Sequence, residues 1–296
     1  MISVLVADKI DKSVIDQVKN SQFSFDYQPE IIPQSLVKII HNYQGLIVRS
    51  RTKVTQEVID AGCNLKVIGR VGSGLDNVDV EEVKKRKITV VNSPESNSEA
   101  VAEFTLGLIL SLLRNLSPAY SSMKDGLWLK KDLKGEELEG KKIGVIGYGH
   151  IGKKLTKLLN AFGTKVDYYS RSEKSNSLEN IFKHSDIITI HLPLNNETEN
   201  LINNNLLSLM RPTSFLINTS RGGVVEEKVL FKILLEKKIA GAALDVFWEE
   251  PLPPESPWRK LANVILTPHI GASTKEALKK GTKIIIDEVI KILKKK

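Results

Sequence analysis

Three short polar stretches carry residue types that can do chemistry: Thr219-Ser220-Arg221-Gly222-Gly223, Glu249-Glu250-Pro251 and Thr267-Pro268-His269-Ile270-Gly271. Each follows a strand-like apolar run, and none of the three reads as core. Imidazole titrates near neutral pH, so His269 can hand over or take up a proton. A carboxylate beside it favours the imidazolium and fixes the ring's orientation, and Glu250 is the candidate. An arginine can clamp a carboxylate and polarise the carbonyl next to it, which suits Arg221. Hydride delivery to the carbonyl carbon of a 2-oxo acid leaves charge on oxygen, and this set meets that charge with a proton donor. Plainer roles remain open at this point: a turn cap for Arg221, an exposed loop charge for Glu250, a satisfied core histidine for His269.

A second constellation precedes these. The apolar run 142–146 enters Gly147-Tyr148-Gly149-His150-Ile151-Gly152, and a helical pattern follows over 153–162. In a strand, G-x-G-x-x-G, helix context, Gly147 permits the tight turn and Gly149 lets backbone approach a pyrophosphate. Gly152 allows helix and strand to pack closely. The helix N-terminus then faces the phosphates with free N–H groups and a partial positive charge. The next strand ends in Tyr169-Ser170-Arg171, and Ser170 stands where NAD enzymes usually carry a ribose-binding carboxylate. Asp167 comes too early to replace it. Ser170 and Arg171 would accept a 2′-phosphate, so the expected cofactor is NAD(H), with NADP(H) also accommodated.

Positioning such residues at strand ends requires parallel α/β architecture, and short β-rich runs alternate with amphipathic stretches throughout. The pattern predicts strands at 3–6, 23–27, 45–49, 66–70 and 88–92. A long apolar-periodic helix follows at 99–113, then a second series at 142–146, 165–169, 186–190, 214–218, 241–244 and 264–266, and a closing helix at 274–293. The second series is complete before that helix begins, so the helix is expected to return to the first domain. The fold class is therefore α/β with two Rossmann-like doubly wound domains. A nucleotide-binding domain at 95–275 is inserted into a flavodoxin-like substrate domain made of 1–94 and 276–296, and the two are expected to be distant echoes of one another.

The 296 residues suffice for about two domains. A hydrophobic share of 41% and a charged share of 26% are ordinary globular values. The 43 basic and 35 acidic residues leave +8, but the basic residues are scattered, as at 84–87 and 294–296. This reads as solvated helix faces and a steering field for anions rather than a nucleic-acid surface. No apolar run reaches the roughly 18 residues of a membrane span. Without a signal-like start at 1–7, a cytoplasmic location is expected. The single cysteine, Cys63, excludes an internal disulfide and a cysteine metal cluster; its expected role is packing near a helix end. Among the remaining histidines, His41 and His184 read as helix-end surface residues and His191 as a strand end without an obvious partner.

Over essentially its whole length the chain resembles the D-isomer-specific 2-hydroxyacid dehydrogenases. The likeness runs through 45–50, 67–79, Asn92-Ser93-Pro94, Ala102-Glu103, 122–126, the glycine loop, Arg221-Gly222-Gly223, 242–247 and 269–277. The stretch 69–79 and the residues after His269 are similar to the phosphoglycerate branch. The resemblance implies that Arg221 binds and polarises substrate, Glu250 tunes the histidine and His269 is the acid/base. It places Ser73, His150, Ile151, Ser170, Thr219, Asp245 and Ala272 around the cofactor, and Arg49 and Arg70 at the substrate's anionic end. Lys130 would reach a neighbouring subunit's site in a homodimer. The implied reaction is oxidation of D-3-phosphoglycerate to 3-phosphohydroxypyruvate in serine biosynthesis. Glyoxylate or hydroxypyruvate reduction is the alternative, followed by a non-catalytic nucleotide-sensing relative. Because the chain ends at Lys296, the regulatory C-terminal domains of longer members are not expected.

Overall fold

The computed structural model describes residues 1–18 and 22–295; Lys296, the last of the terminal lysines, lies outside them. The chain divides into two compact units, Met1–Asn97 with Ser273–Lys296 and Ser98–Ala272. The junctions thus fall three residues later and three residues earlier than the 94/95 and 275/276 junctions expected from the sequence. The reason at the first junction is local. A Cβ on Gly281 of the last helix would meet Ser96 Oγ at 3.0 Å and Ser93 Oγ at 3.2 Å, so the turn after Asn92 packs on that helix and belongs with it.

In the first unit, β1 (Ile2–Val6), β2 (Phe23–Tyr27), β3 (Gly45–Val48), β4 (Val67–Arg70) and β5 (Thr89–Asn92) form one parallel sheet in the order β2-β1-β3-β4-β5. Alternate side chains serve two cores. Leu5, Leu46, Val48 and Ile68 pack toward Leu36, Val58 and Ile59 of the helices Pro33–Ile39 and Gln56–Ala61. Val4, Val6, Ile47 and Val67 face Ile285, Ile286, Val289 and Leu293 of the helix Lys275–Lys295. Burial on both faces is why β3 reads as an unbroken apolar run. Gly69 admits the last helix: a Cβ there would lie 2.5 Å from Ile285 Cγ2. That helix therefore does return to the first unit. Cys63 corrects its expectation, for it is exposed just past the helix Gln56–Ala61 rather than packed.

The second unit holds β6 (Lys142–Ile146), β7 (Lys165–Tyr169), β8 (Ile187–Ile190), β9 (Phe215–Asn218), β10 (Gly241–Leu244) and β11 (Val264–Leu266), parallel throughout, in the order β11-β10-β9-β8-β6-β7. One face is covered by Ala102, Leu108, Ile109 and Leu113 of the helix Ser98–Leu113 and by Leu155 and Leu159 of the helix His150–Ala161. Ile181, Phe182, Leu230 and Leu234 cover the other. Counted from its own first strand, this sheet repeats the 2-1-3-4-5 order of the first and adds one strand. The order reverses between β6 and β8, and at such a reversal the carboxyl ends of the strands open a ligand crevice. Among the described residues no single helix is long and apolar enough to cross a membrane.

Candidate active site

The glycine loop leaves β6 with Gly147 at φ +100°, where a Cβ would stand 2.6 Å from the His191 carbonyl oxygen. Gly149 is extended and acts as N-cap, so the helix begins at His150, earlier than the sequence pattern suggested. Gly152 thereby falls in the first turn, where a Cβ would be 2.3 Å from the Gly147 oxygen. Around Gly149 nothing lies within 4 Å of a Cβ position, and no side chain caps the helix. This open, uncapped N-terminus of a 12-residue helix fits a dinucleotide's pyrophosphate. Tyr148 stacks on Tyr168 of β7 with ring centroids 3.8 Å apart, which braces the loop.

At the end of β7 the Asp167 carboxylate is committed to the Tyr168 amide at 3.0 Å and Asn176 Nδ2 at 2.6 Å. No carboxylate therefore takes the position of Ser170. The Ser170 hydroxyl lies 3.2 Å from that of Ser172, and Arg171 pairs with Glu197 on the surface. An exposed pair of that kind costs little to break. His191, at the end of β8, does have a partner: its Nε2 lies 2.9 Å from Thr189 Oγ1. Burial pushes its imidazole down to about 3, so the ring is neutral at ordinary pH.

The ends of β9, β10 and β11 bring the three polar stretches together. After β9, Asn218 Nδ2 donates to the Arg221 carbonyl at 2.9 Å, and the Ser220 amide donates to Asn218 Oδ1 at 3.0 Å. Gly222 seats this turn against the next strand's extension, since its Cβ would collide with the Phe247 carbonyl carbon at 2.2 Å. After β10, the Phe247 amide donates to Glu250 Oε1 at 3.0 Å, which aims the other oxygen at His269. After β11, His269 sits at φ +52°, a left-handed conformation uncommon for a residue with a side chain. Its loop is held by the buried Asp245, which accepts from Thr267 Oγ1 at 2.6 Å and from the Ile270 and Gly271 amides at 2.9 and 2.8 Å.

His269 Nδ1 and Glu250 Oε2 are 2.6 Å apart. Burial is the largest influence on Glu250 and raises its carboxyl. It is outweighed by hydrogen bonds from His269 and the Phe247 amide and by the charges of His269 and Arg221, which together hold the group below the usual carboxylate range. An ionised carboxylate only accepts, so Nδ1 carries the proton of this bond and Nε2 is left to exchange one with a ligand. With side-chain exposures of 43% and 36%, His269 and Glu250 are neither core groups nor isolated surface charges.

Residues 106–271 match the NAD binding domain of the D-isomer specific 2-hydroxyacid dehydrogenases. D-3-phosphoglycerate dehydrogenase of Methanocaldococcus jannaschii is 40% identical over 99% of this chain, which spans 58% of that protein's length. Hydroxypyruvate reductase of Thermotoga maritima is 39% identical over 98% of both chains. An acyclic imino acid reductase solved with NADPH and D-Arg superposes with a TM-score of 0.91 at 29% identity, covering 100% of this chain and 98% of its own. The chain belongs to the D-isomer specific 2-hydroxyacid dehydrogenases. It carries that family's NAD binding domain.

Gly147, Gly149, His150, Ile151, Gly152, Ser170, Arg171, Thr219, Asp245 and Ala272 all fall in the glycine-loop unit with Arg221, Glu250 and His269. Two of them are absorbed by the protein itself: Thr219 is buried with its hydroxyl 3.0 Å from that of Thr105, and both Asp245 oxygens hold the His269 loop. Arg49, Arg70 and Ser73 belong to the other unit, at or just past the ends of β3 and β4. Lys130 is exposed in the stretch after the helix Leu116–Lys124. Sequence reasoning missed Asn218 and the Phe247 amide. Asn218 carries a signal, being a buried amide that ends an apolar strand, but a backbone N–H has none.

Proposed function

We propose that this chain oxidises D-3-phosphoglycerate to 3-phosphohydroxypyruvate. The Arg221, Glu250 and His269 cluster supports the reaction. The observation that carries the substrate is the placing of two arginines at the carboxyl ends of neighbouring strands: Arg70 ends β4 opposite Val48, and Arg49 follows Val48. A substrate that carries a phosphate besides its carboxylate needs cationic anchors for it, and Arg49 and Arg70 of the first unit are the candidates. When bound, the nicotinamide supplies the two-electron acceptor at its C4. Arg221 holds the substrate carboxylate and polarises C2–O, while His269 Nε2 takes the hydroxyl proton as the hydride leaves C2. Glu250 stabilises the imidazolium so formed. The reverse direction uses the same groups with the proton returned to oxygen.

On cofactor preference, Ser170 and Arg171 favour NADP(H): no carboxylate there repels a 2′-phosphate, and Arg171 can exchange Glu197 for it. A homodimer goes with this reading. Leu116, Tyr120, Met123, Leu127 and Trp128 leave an apolar stretch between 52% and 77% exposed, and Lys130 follows it toward a second copy. So do a cytoplasmic location and a place in serine biosynthesis.

The deciding measurement follows nicotinamide absorbance with 3-phosphoglycerate, 3-phosphohydroxypyruvate, hydroxypyruvate and glyoxylate, each with both cofactors. The phosphorylated pair is expected to lead in kcat/KM by about tenfold or more, a difference of roughly 1.4 kcal/mol in transition-state binding. A lead for hydroxypyruvate or glyoxylate would instead assign a reductase, the reading favoured by the full-length match to the Thermotoga maritima protein. No turnover of any 2-oxo acid would leave a nucleotide-sensing role.

A further inference from the structure

The five-stranded sheet has a reversal of its own, between β1 and β3, where strand order turns from one direction to the other. Ligands of open α/β sheets bind at such a place, and here the chain fills it with a carboxylate. Asp8, just past β1, is 2% exposed. Its oxygens accept from the Arg49 amide at 2.6 Å, the Thr52 amide at 3.1 Å and Thr52 Oγ1 at 2.6 Å, and Arg51 Nε lies 3.3 Å away. Asn77 holds the same turn from its carbonyl side, its Nδ2 donating to Arg49 O at 2.9 Å and Thr52 O at 2.6 Å.

The two arginines of this turn have different fates. Arg51 is spoken for: besides Asp8, its guanidinium donates to the carbonyls of Ile31 at 3.1 Å, Ala7 at 2.7 Å and Pro29 at 2.8 Å. Arg49 has its backbone tied at both N–H and C=O, while its guanidinium makes no hydrogen bond or ion pair among the described residues. The buried Asp8 and the half-buried Asn77 thus fix where Arg49 starts and leave its charge uncommitted, which is how a preorganised anion anchor is built.

We propose that Asp8 is a positioning residue for the anionic end of the substrate: by clamping turn 49–52 it holds Arg49 ready for the phosphate of a phosphorylated 2-hydroxy acid. The proposal rests on the reading of Arg49 as a substrate anchor. Asp8 touches no reacting atom, so its loss acts on KM rather than on the hydride step.

The test measures steady-state kinetics with 3-phosphoglycerate for the unaltered enzyme, Arg49→Ala, Asp8→Asn and the double variant. Cofactor affinity is followed by nicotinamide fluorescence and folding by thermal melting. Arg49→Ala is expected to raise KM about tenfold or more and Asp8→Asn about three- to tenfold, with kcat within about threefold and cofactor affinity unchanged. On the Arg49→Ala background Asp8→Asn should add less than about twofold, because nothing remains to be positioned. An unchanged KM for Asp8→Asn beside a raised one for Arg49→Ala overturns the positioning role alone, and so does an equal rise on both backgrounds. An unchanged KM for Arg49→Ala, or no turnover of 3-phosphoglycerate by the unaltered enzyme, defeats the anchor reading and this proposal with it. Should Asp8→Asn fail to fold, Asn77→Ala loosens the same turn from its other side and must show the same non-additive rise in KM; its absence overturns the proposal.

Discussion

In the proposed reaction His269 and Glu250 divide one task by protonation. Glu250 is held below the usual carboxylate range, so its charge is present at neutral pH and is lost only as pH falls through that lowered value. What the charge contributes to the histidine, and to folding, is therefore kept above the ordinary carboxylate range and disappears at more acidic pH. Glu250→Gln preserves the shape and removes the charge. It should lower kcat by about 10²-fold or more while leaving cofactor affinity in place, and stopped-flow turnover with equilibrium cofactor binding separates the two. His269→Ala is expected to cost about 10²- to 10⁴-fold in turnover with cofactor still bound; unchanged turnover would remove His269 from the mechanism. His191, neutral down to about 3, contributes no charge in the working range.

Elements matter here chiefly for how they end. The glycine loop offers a paired prediction, since two of its glycines meet opposite surroundings. Gly147→Ala places a Cβ 2.6 Å from the His191 carbonyl oxygen at φ +100°, so backbone must move and stability should fall by about 1–3 kcal/mol. Gly149→Ala meets nothing within 4 Å. It should leave the melting temperature alone and weaken cofactor binding, because the added methyl stands on the face offered to the pyrophosphate. Differential scanning calorimetry and cofactor titration of both variants check the contrast, and equal effects on folding would contradict it. The strands themselves were legible in the sequence to within a residue at each end, because burial on two faces writes apolar runs such as 45–48 and 187–190. The helix after β6 was less so: its start at His150 depends on the extended backbone of Gly149, which no periodicity records.

For the molecule as a whole, many of the 43 basic residues are paired with acidic neighbours, and the net +8 is what is left after the 35 acidic residues are counted. Lys84 pairs with Glu81, Lys85 with Glu82, and Arg86 with Asp60 and Glu82. What remains is a long-range field that favours anionic cofactor and substrate. The second-order rate constant for 3-phosphoglycerate should fall as ionic strength rises from about 0.01 to 0.15 M, where the screening length shrinks from roughly 30 to 8 Å; kinetics across a salt series measure it, and a flat profile would remove steering. Repetition of the same strand order in both units is consistent with their expected likeness, and each sheet has its own reversal. One holds the glycine loop and the other Asp8.

Sequence alone determined the local matters: strand runs, glycine spacing, and the positions of Arg221, Glu250 and His269 from which the proposed reaction is argued, because each is set by neighbours a few residues away. Tertiary structure decided which polar groups are free to act. Asp245 reads as a site carboxylate, yet both its oxygens are taken by a loop more than twenty residues later. Arg49 and Arg51 are two residues apart and chemically equal. Asp8 and the carbonyls of Ala7, Pro29 and Ile31, brought alongside by the fold, commit one and leave the other. Hydrogen-bond partners distant in sequence are fixed by packing, and it is packing that separates a structural arginine from one available to a ligand.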